Sequence, residues 1–308
     1  MDTVYAAFEA TAKTHSTKPF LHDLKRGADV SYGTALERIA EFASGYRARG
    51  CGTGHRVALR MESGPEMLLH FLALNSLGAS VVPLNPDYRE AELEYVLSHS
   101  EAFFPERDSG AKPKPVGATE CALLYTSGTT GKPKGCLLSN AYFLGAGRRY
   151  LAEGGLCAVL EGEDRLITPL PLFHMNALAF STTAMILSGG CLIQLDRFHP
   201  RTWWRSVAGA GATIVHYLGV MPAILLGLEE DPAERAHRVR FGYGANASPK
   251  DHAAFEARFG FPLIEGWSMT ETGSGALICA SREPRHVGTR CIGFPRDDLG
   301  VKIEESGE

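Results

Sequence analysis

The most informative stretch of the chain is Tyr125 to Gly135, which reads Tyr-Thr-Ser-Gly-Thr-Thr-Gly-Lys-Pro-Lys-Gly. Gly128 and Gly131 permit tight turns and let backbone amides approach phosphate oxygens. Thr126, Ser127, Thr129 and Thr130 add hydroxyl donors, and Lys132 and Lys134 add positive charge. That set of groups fits a cradle for a polyphosphate. By composition alone it also fits a flexible surface loop of small polar residues. It is not a Walker A loop, because Lys132 is followed by proline and not by serine or threonine, so kinase and GTPase chemistry lose their main support.

The surrounding elements place this loop after a buried strand. Arg56 to Met61, Ser80 to Leu84, Cys121 to Tyr125, Leu166 to Thr168, Cys191 to Leu195, Thr213 to Tyr217 and Arg240 to Tyr243 read as strands. Several are apolar on both faces, as strands of a covered parallel sheet are. Ser31 to Arg49, with Ala35, Ile39, Phe42 and Tyr46 near a 3.6-residue period, reads as a helix, as does Glu66 to Leu77. Met1 to Ser16 reads as an amphipathic helix. A further helix begins near Ser139, and Ser248-Pro249 opens another. The alternation predicts a doubly wound α/β fold with mostly parallel sheets. We expect one subdomain over 1–164, a second over 165–287, and over 288–308 the start of a small β-barrel-like element.

Three more segments stand out. They are Pro169-Leu170-Pro171-Leu172-Phe173-His174-Met175-Asn176, Tyr243-Gly244-Ala245-Asn246-Ala247, and Glu265-Gly266-Trp267-Ser268-Met269-Thr270-Glu271-Thr272. The second follows a strand and precedes a capped helix, a position where open α/β sheets bind ligands. Together with the loop, these segments resemble, in order and position by position, the adenylate-forming family of acyl-CoA synthetases, luciferases and peptide-synthetase adenylation domains. The likeness in look is greatest to carnitine/crotonobetaine-CoA ligase-type enzymes, and only their N-terminal part is covered.

The resemblance implies ATP, Mg²⁺ and coenzyme A as co-substrates and cofactors. It implies catalytic roles for Lys134, Thr270, Glu271 and His174, with Glu271 also on the metal. Thr126, Ser127, Gly128, Thr129, Thr130 and Gly131 would hold the phosphates. Gly244, Ala245, Asn246 and Trp267 would hold the adenosine. His174, Asn176, His216, Tyr217, Gly219, Gly244 and Gly266 would line the acid site, with Gly266 leaving room there. Taken alone, His174 and His216 are equally readable as packed histidines, the Gly244 turn as an ordinary strand-to-helix turn, and Glu271 as a surface acid. Three departures from the family pattern are Trp267 for a usual tyrosine, Ser268 for a usual glycine, and Glu265 where an amide is frequent.

The implied activity is a carboxylate–CoA ligase that forms an acyl-AMP and pyrophosphate, then the thioester. His216 and Tyr217 point to a small or polar acid. A carrier-protein acceptor and a nucleotide-binding protein without full catalysis are the alternatives. An amino-acid-activating domain would carry an aspartate near Arg240 to Tyr243, and none is there. No Thr-Gly-Asp follows Glu271, so the family's ribose-binding motif and C-terminal lid are expected to lie outside this sequence, leaving adenylation severely weakened. The stretch Phe103 to Gly117 is short, as if a strand and helix usual in the family were absent.

Composition agrees with a folded soluble protein that has a sizeable core. Of 308 residues, 44% are hydrophobic and 21% charged, and the formal net charge of −4 argues against a broad nucleic-acid surface. Seven cysteines form no CxxC, which fits reduced thiols and a cytoplasmic location. No apolar run reaches the ~20 residues of a membrane span. A homodimer stays open.

Overall fold

The computed structural model describes residues 2–106, 119–126, 132–273, 278–295, 297 and 299–302. The strands are β1 (Pro19–Asp23), β2 (Ala28–Ser31), β3 (Arg56–Arg60), β4 (Ser80–Leu84), β5 (Glu120–Thr126), β6 (Lys134–Ser139), β7 (Arg165–Thr168), β8 (Cys191–Gln194), β9 (Ile214–Leu218), β10 (Phe241–Ala245), β11 (Leu263–Trp267) and β12 (Ile278–Cys279). The helices are α1 (Val4–Thr14), α2 (Tyr32–Ala48), α3 (Pro65–Ser76), α4 (Glu90–Ser100), α5 (Asn140–Glu153), α6 (Thr182–Ser188), α7 (Trp203–Gly209), α8 (Val220–Leu226) and α9 (Pro249–Phe259). A single π-turn, Asn176–Ser181, leads into α6.

Two sheets form. The larger runs β12-β11-β10-β9-β7-β8-β1-β2 and the smaller β3-β4-β5-β6. The interior pairings are parallel, and the antiparallel ones fall at edges: β2 on β1, β12 on β11, and β6 on β5. Alternation along the strands sorts side chains into layers. Leu166 and Leu192 face a central core shared with α1, α2, α3, α5 and α6, while Ile167 and Ile193 face a second core with α7 and α9. In the small sheet Val81 and Leu124 join the central core, and Val82, Leu123 and Tyr125 join a third cluster under α4. Five layers result, helices outside and between two sheets.

The boundary expected at 164/165 does not separate the sheets. β1 and β2 come from the start of the chain, yet Leu21 pairs in parallel with Leu192 of β8. Asp29 on β2 completes the join by accepting two hydrogen bonds from Arg165, at 2.8 and 3.1 Å. The helix after the glycine-rich loop does begin where its cap predicts, with Ser139 accepting from the Tyr142 amide at 3.1 Å. A strand, β6, stands between them. Phe103 makes an isolated parallel bridge to Val57. Most of the expected Phe103–Gly117 loop lies outside the described residues, as do 303–308. Among the described residues, no helix is long and apolar enough to cross a membrane.

Candidate active site

Thr126 ends β5 and faces Lys134, the first residue of β6, across the hairpin. Ser127, Gly128, Thr129, Thr130 and Gly131, between these arms, lie outside the described residues. The Thr126 hydroxyl donates to Glu271 Oε1 at 3.4 Å, joining segments 145 residues apart. Lys134 and Glu271 are both exposed. The loop's two arms and the Thr270-Glu271 pair therefore meet at one opening.

The turn carrying Glu271 is held from below. Tyr142 of α5 donates to the Thr270 carbonyl at 3.1 Å, and Ser268 donates to the Gly273 carbonyl at 2.9 Å. Burial, then nearby Cys136 and Glu271, push the Tyr142 phenol well above its usual range, so it remains a donor. Gly273 has φ +56°, and a Cβ there would sit 2.2 Å from the Tyr142 ring. Only glycine lets the turn approach that ring. Ser268, read in the sequence as a departure from glycine, is part of the closure.

The segments expected to hold adenosine gather at the C-terminal ends of β9, β10 and β11. In register, Gly244 lies beside Tyr217 on one side and Glu265 on the other. Asn246 adopts φ +65°, a left-handed conformation that asparagine tolerates. A Cβ on Gly219 would fall 1.9 Å from the Asn246 carbonyl oxygen, so these two turns touch through backbone. Glu265, buried to 2% exposure, organises this corner. Its carboxylate accepts the Asn246 amide at 2.8 Å, the Ala247 amide at 3.1 Å and the Tyr217 hydroxyl. Sequence reasoning noted Glu265 only as an unusual residue. The signal was its place on the strand beside a glycine-rich turn whose amides need an acceptor. Trp267 stands at the end of β11, 39% exposed.

The residues expected at the acid site divide. His174 is exposed, with its ring 4.8 Å from that of Phe173, and partial desolvation lowers its pKa. His216 and Tyr217 instead point into the interior, at 0% and 2% exposure. His216 Nε2 lies 2.9 Å from the Tyr150 hydroxyl, and Nδ1 lies 2.9 Å from Ser181 Oγ and 3.2 Å from Asn176 Oδ1. Burial lowers its pKa to about 3, so it is neutral. Asn176 thus supports a buried network at the start of the π-turn. The room expected beside Gly266 is taken up: a Cβ there would meet the Tyr243 hydroxyl at 2.8 Å and the Ile278 carbonyl at 3.3 Å.

A profile described as "AMP-binding enzyme" matches residues 8–104 and 103–308. The chain belongs to this family. The match divides at 103–104, where the expected short loop begins. Sulfoacetate–CoA ligase of Cupriavidus necator is 29% identical, over 99% of this chain and 66% of the relative. Crotonobetaine/carnitine–CoA ligase of Citrobacter koseri is 26% identical over 80% of this chain and 56% of its own length. The medium/long-chain-fatty-acid–CoA ligase FadD6 of Mycobacterium tuberculosis is 27% identical over 84% of this chain and 49% of its own. The chain therefore spans about half to two thirds of these relatives. Among solved structures, O-succinylbenzoate coenzyme A synthetase of Bacillus subtilis, in complex with AMP, superposes with a TM-score of 0.80. It shares 20% identity, with 98% of this chain and 83% of that one covered. The inhibitor-bound N-terminal domain of FACL13 from Mycobacterium tuberculosis gives 0.78 at 21% identity, covering 90% and 79%. These two establish the mixed α/β fold.

Proposed function

We propose that this chain is the nucleotide- and acid-binding portion of an acid–CoA ligase that adenylates a small or polar carboxylic acid. The observation that carries the reading is the Thr126–Glu271 contact, which brings the glycine-rich hairpin and the Thr-Glu turn together. Lys134 and the loop hydroxyls would hold the β- and γ-phosphates. Trp267 offers an exposed ring for stacking on adenine. A polar acid is supported by the relative named for sulfoacetate and by those named for crotonobetaine and carnitine.

Glu271 fits a Mg²⁺ role. It is an exposed hard-oxygen donor, and among the described residues no group of three or more His, Cys, Asp or Glu side chains could hold an ion. One carboxylate completed by substrate oxygens is the usual Mg²⁺ arrangement. Bound there, the ion would supply charge neutralisation to the phosphates.

The acid's carboxylate oxygen forms a bond to the α-phosphorus, and the bond to the bridging oxygen breaks as pyrophosphate leaves. The sulfur of coenzyme A then attacks the acyl carbon, AMP departs, and the thiol proton goes to solvent. The protein's task is alignment and charge stabilisation. His174, neutral and exposed, would orient the acid at the mouth, while His216, Tyr217, Asn176, Gly219 and Gly266 shape its wall from behind. Pyrophosphate release with ATP–Mg²⁺ and a panel of acids tests this. Slow release with short polar acids is expected, falling on the order of 10²–10³-fold in Glu271→Ala. No ATP binding at millimolar concentration, or release with long-chain acids alone, rejects the reading.

A further inference from the structure

Helix α4 belongs to none of the four motif segments, yet it touches both described arms of the glycine-rich hairpin. On the β5 arm, the Tyr125 hydroxyl lies 2.8 Å from His99 Nδ1 and 3.4 Å from the Val96 carbonyl. On the β6 arm, the Tyr95 hydroxyl donates to the Pro133 carbonyl at 3.1 Å. The Lys132 ammonium lies 5.7 Å from the centroid of the Tyr95 ring. Tyr95 and His99, one helical turn apart, stack with centroids 5.5 Å apart. Each arm is thereby held by one member of a stacked pair on a single rigid element.

That element is itself fixed. Val96 is fully buried in the cluster with Leu123 and Tyr125, and the Arg89 amide donates to the Glu92 carboxylate at 2.9 Å to close the helix start. The contacts at Pro133 and Lys132 lie immediately before Lys134. Movement at Tyr95 is therefore transmitted to the ammonium proposed to meet the phosphates. The Lys132 ammonium also lies over the Tyr95 ring, and a cation over an aromatic face is held electrostatically.

We infer that Tyr95 is a positioning residue for Lys134 through the segment Lys132–Pro133, with His99 anchoring the β5 arm at Tyr125. The inference rests on the proposed ATP site. Tyr95→Phe keeps the ring under Lys132 and removes the bond to Pro133; Tyr95→Leu removes both. The first measurement uses no nucleotide. Trypsin cuts after Lys134 but not after Lys132, which precedes proline. Nicking at Lys134–Gly135 is expected about fivefold faster in Tyr95→Phe, the factor one neutral hydrogen bond contributes, and faster still in Tyr95→Leu. The second is ATP–Mg²⁺ titration with steady-state kinetics. KM for ATP is expected to rise severalfold while KM for the acid stays at the wild-type value and the thermal midpoint of Tyr95→Phe falls by only about 2–4 °C. Equal nicking in all three proteins overturns the inference. So does faster nicking with unchanged ATP affinity, or an equal rise in both KM values. Faster nicking in a protein whose wild type binds no ATP leaves the grip standing and defeats the proposed function instead.

Discussion

His216 shows how far one residue's role depends on surroundings distant in sequence. The resemblance of its segment to the family makes it a candidate for the acid pocket. Tyr150, Ser181 and Asn176, none of them near it in the chain, fill its hydrogen-bonding capacity and bury it. Burial holds its pKa at about 3, below the usual 6.5. Between those values the unfolded chain binds a proton that the folded chain does not. Stability contributed by the neutral ring is complete above pH 6.5 and is lost as pH falls toward 3, by about 1.4 kcal/mol per pH unit at full slope. Urea unfolding between pH 7 and 4.5 should show this decline, and His216→Gln should flatten it by one proton. An unchanged slope would mean the ring is charged in the fold. Glu265 is the converse case. Its type was noticed, but its function as the acceptor for three donors became visible only when β10 and β11 lay side by side.

At the level of elements, legibility followed the strength of local signals. α2 and α5 carry serine caps and α9 a proline in its first turn, and each was readable near its start. α4 was not, because only Val96 and Ser100 of its residues are buried, leaving no apolar stripe for the period to show. β6 was missed because Leu138 alone among its residues is buried, and Leu137 is 61% exposed. β2 leaves no strand signal because it has an exposed start and no fully buried residue, and β1 little, because its buried run Phe20-Leu21-His22 is only three residues and includes a histidine. The site turn between β11 and β12 gives an element-level prediction. Gly273→Ala must either displace Tyr142 or abandon φ +56°. A loss of about 1–3 kcal/mol in unfolding free energy is expected, with weaker ATP–Mg²⁺ binding by titration. Retention of both would show that the turn does not need its close approach to α5.

At the scale of the molecule, the class of fold is legible in the alternation of buried strands and helices, while the grouping of the motifs comes from the resemblance. Membership of β1 and β2 in the larger sheet is not legible, because pairing across so long a separation has no local trace. Asp29 tests how much that closure matters. Its carboxylate is held below the usual range, first by the Arg165 hydrogen bonds and also by His22, against the opposing effect of burial. Asp29→Ala leaves the Arg165 guanidinium without this partner and should lower unfolding free energy by about 0.5–1 kcal/mol, because the pair is partly exposed and screened by solvent. Acidification below pH 4 should remove the same contribution from the wild type and not from the variant. A variant as stable as wild type at pH 7 would assign the closure to backbone pairing alone. The Leu21–Leu192 pairing also sets a timetable. A ribosome adding about 5–20 residues per second makes β8 roughly 10–30 s after β1 has emerged. Until then α1 and α2 can already cover one face of β1, through Phe8 and Tyr32 against Phe20, but the edge of β1 that takes Leu192 stays unpaired. Nascent chains stalled before residue 191 are the form most exposed to chaperones and proteases.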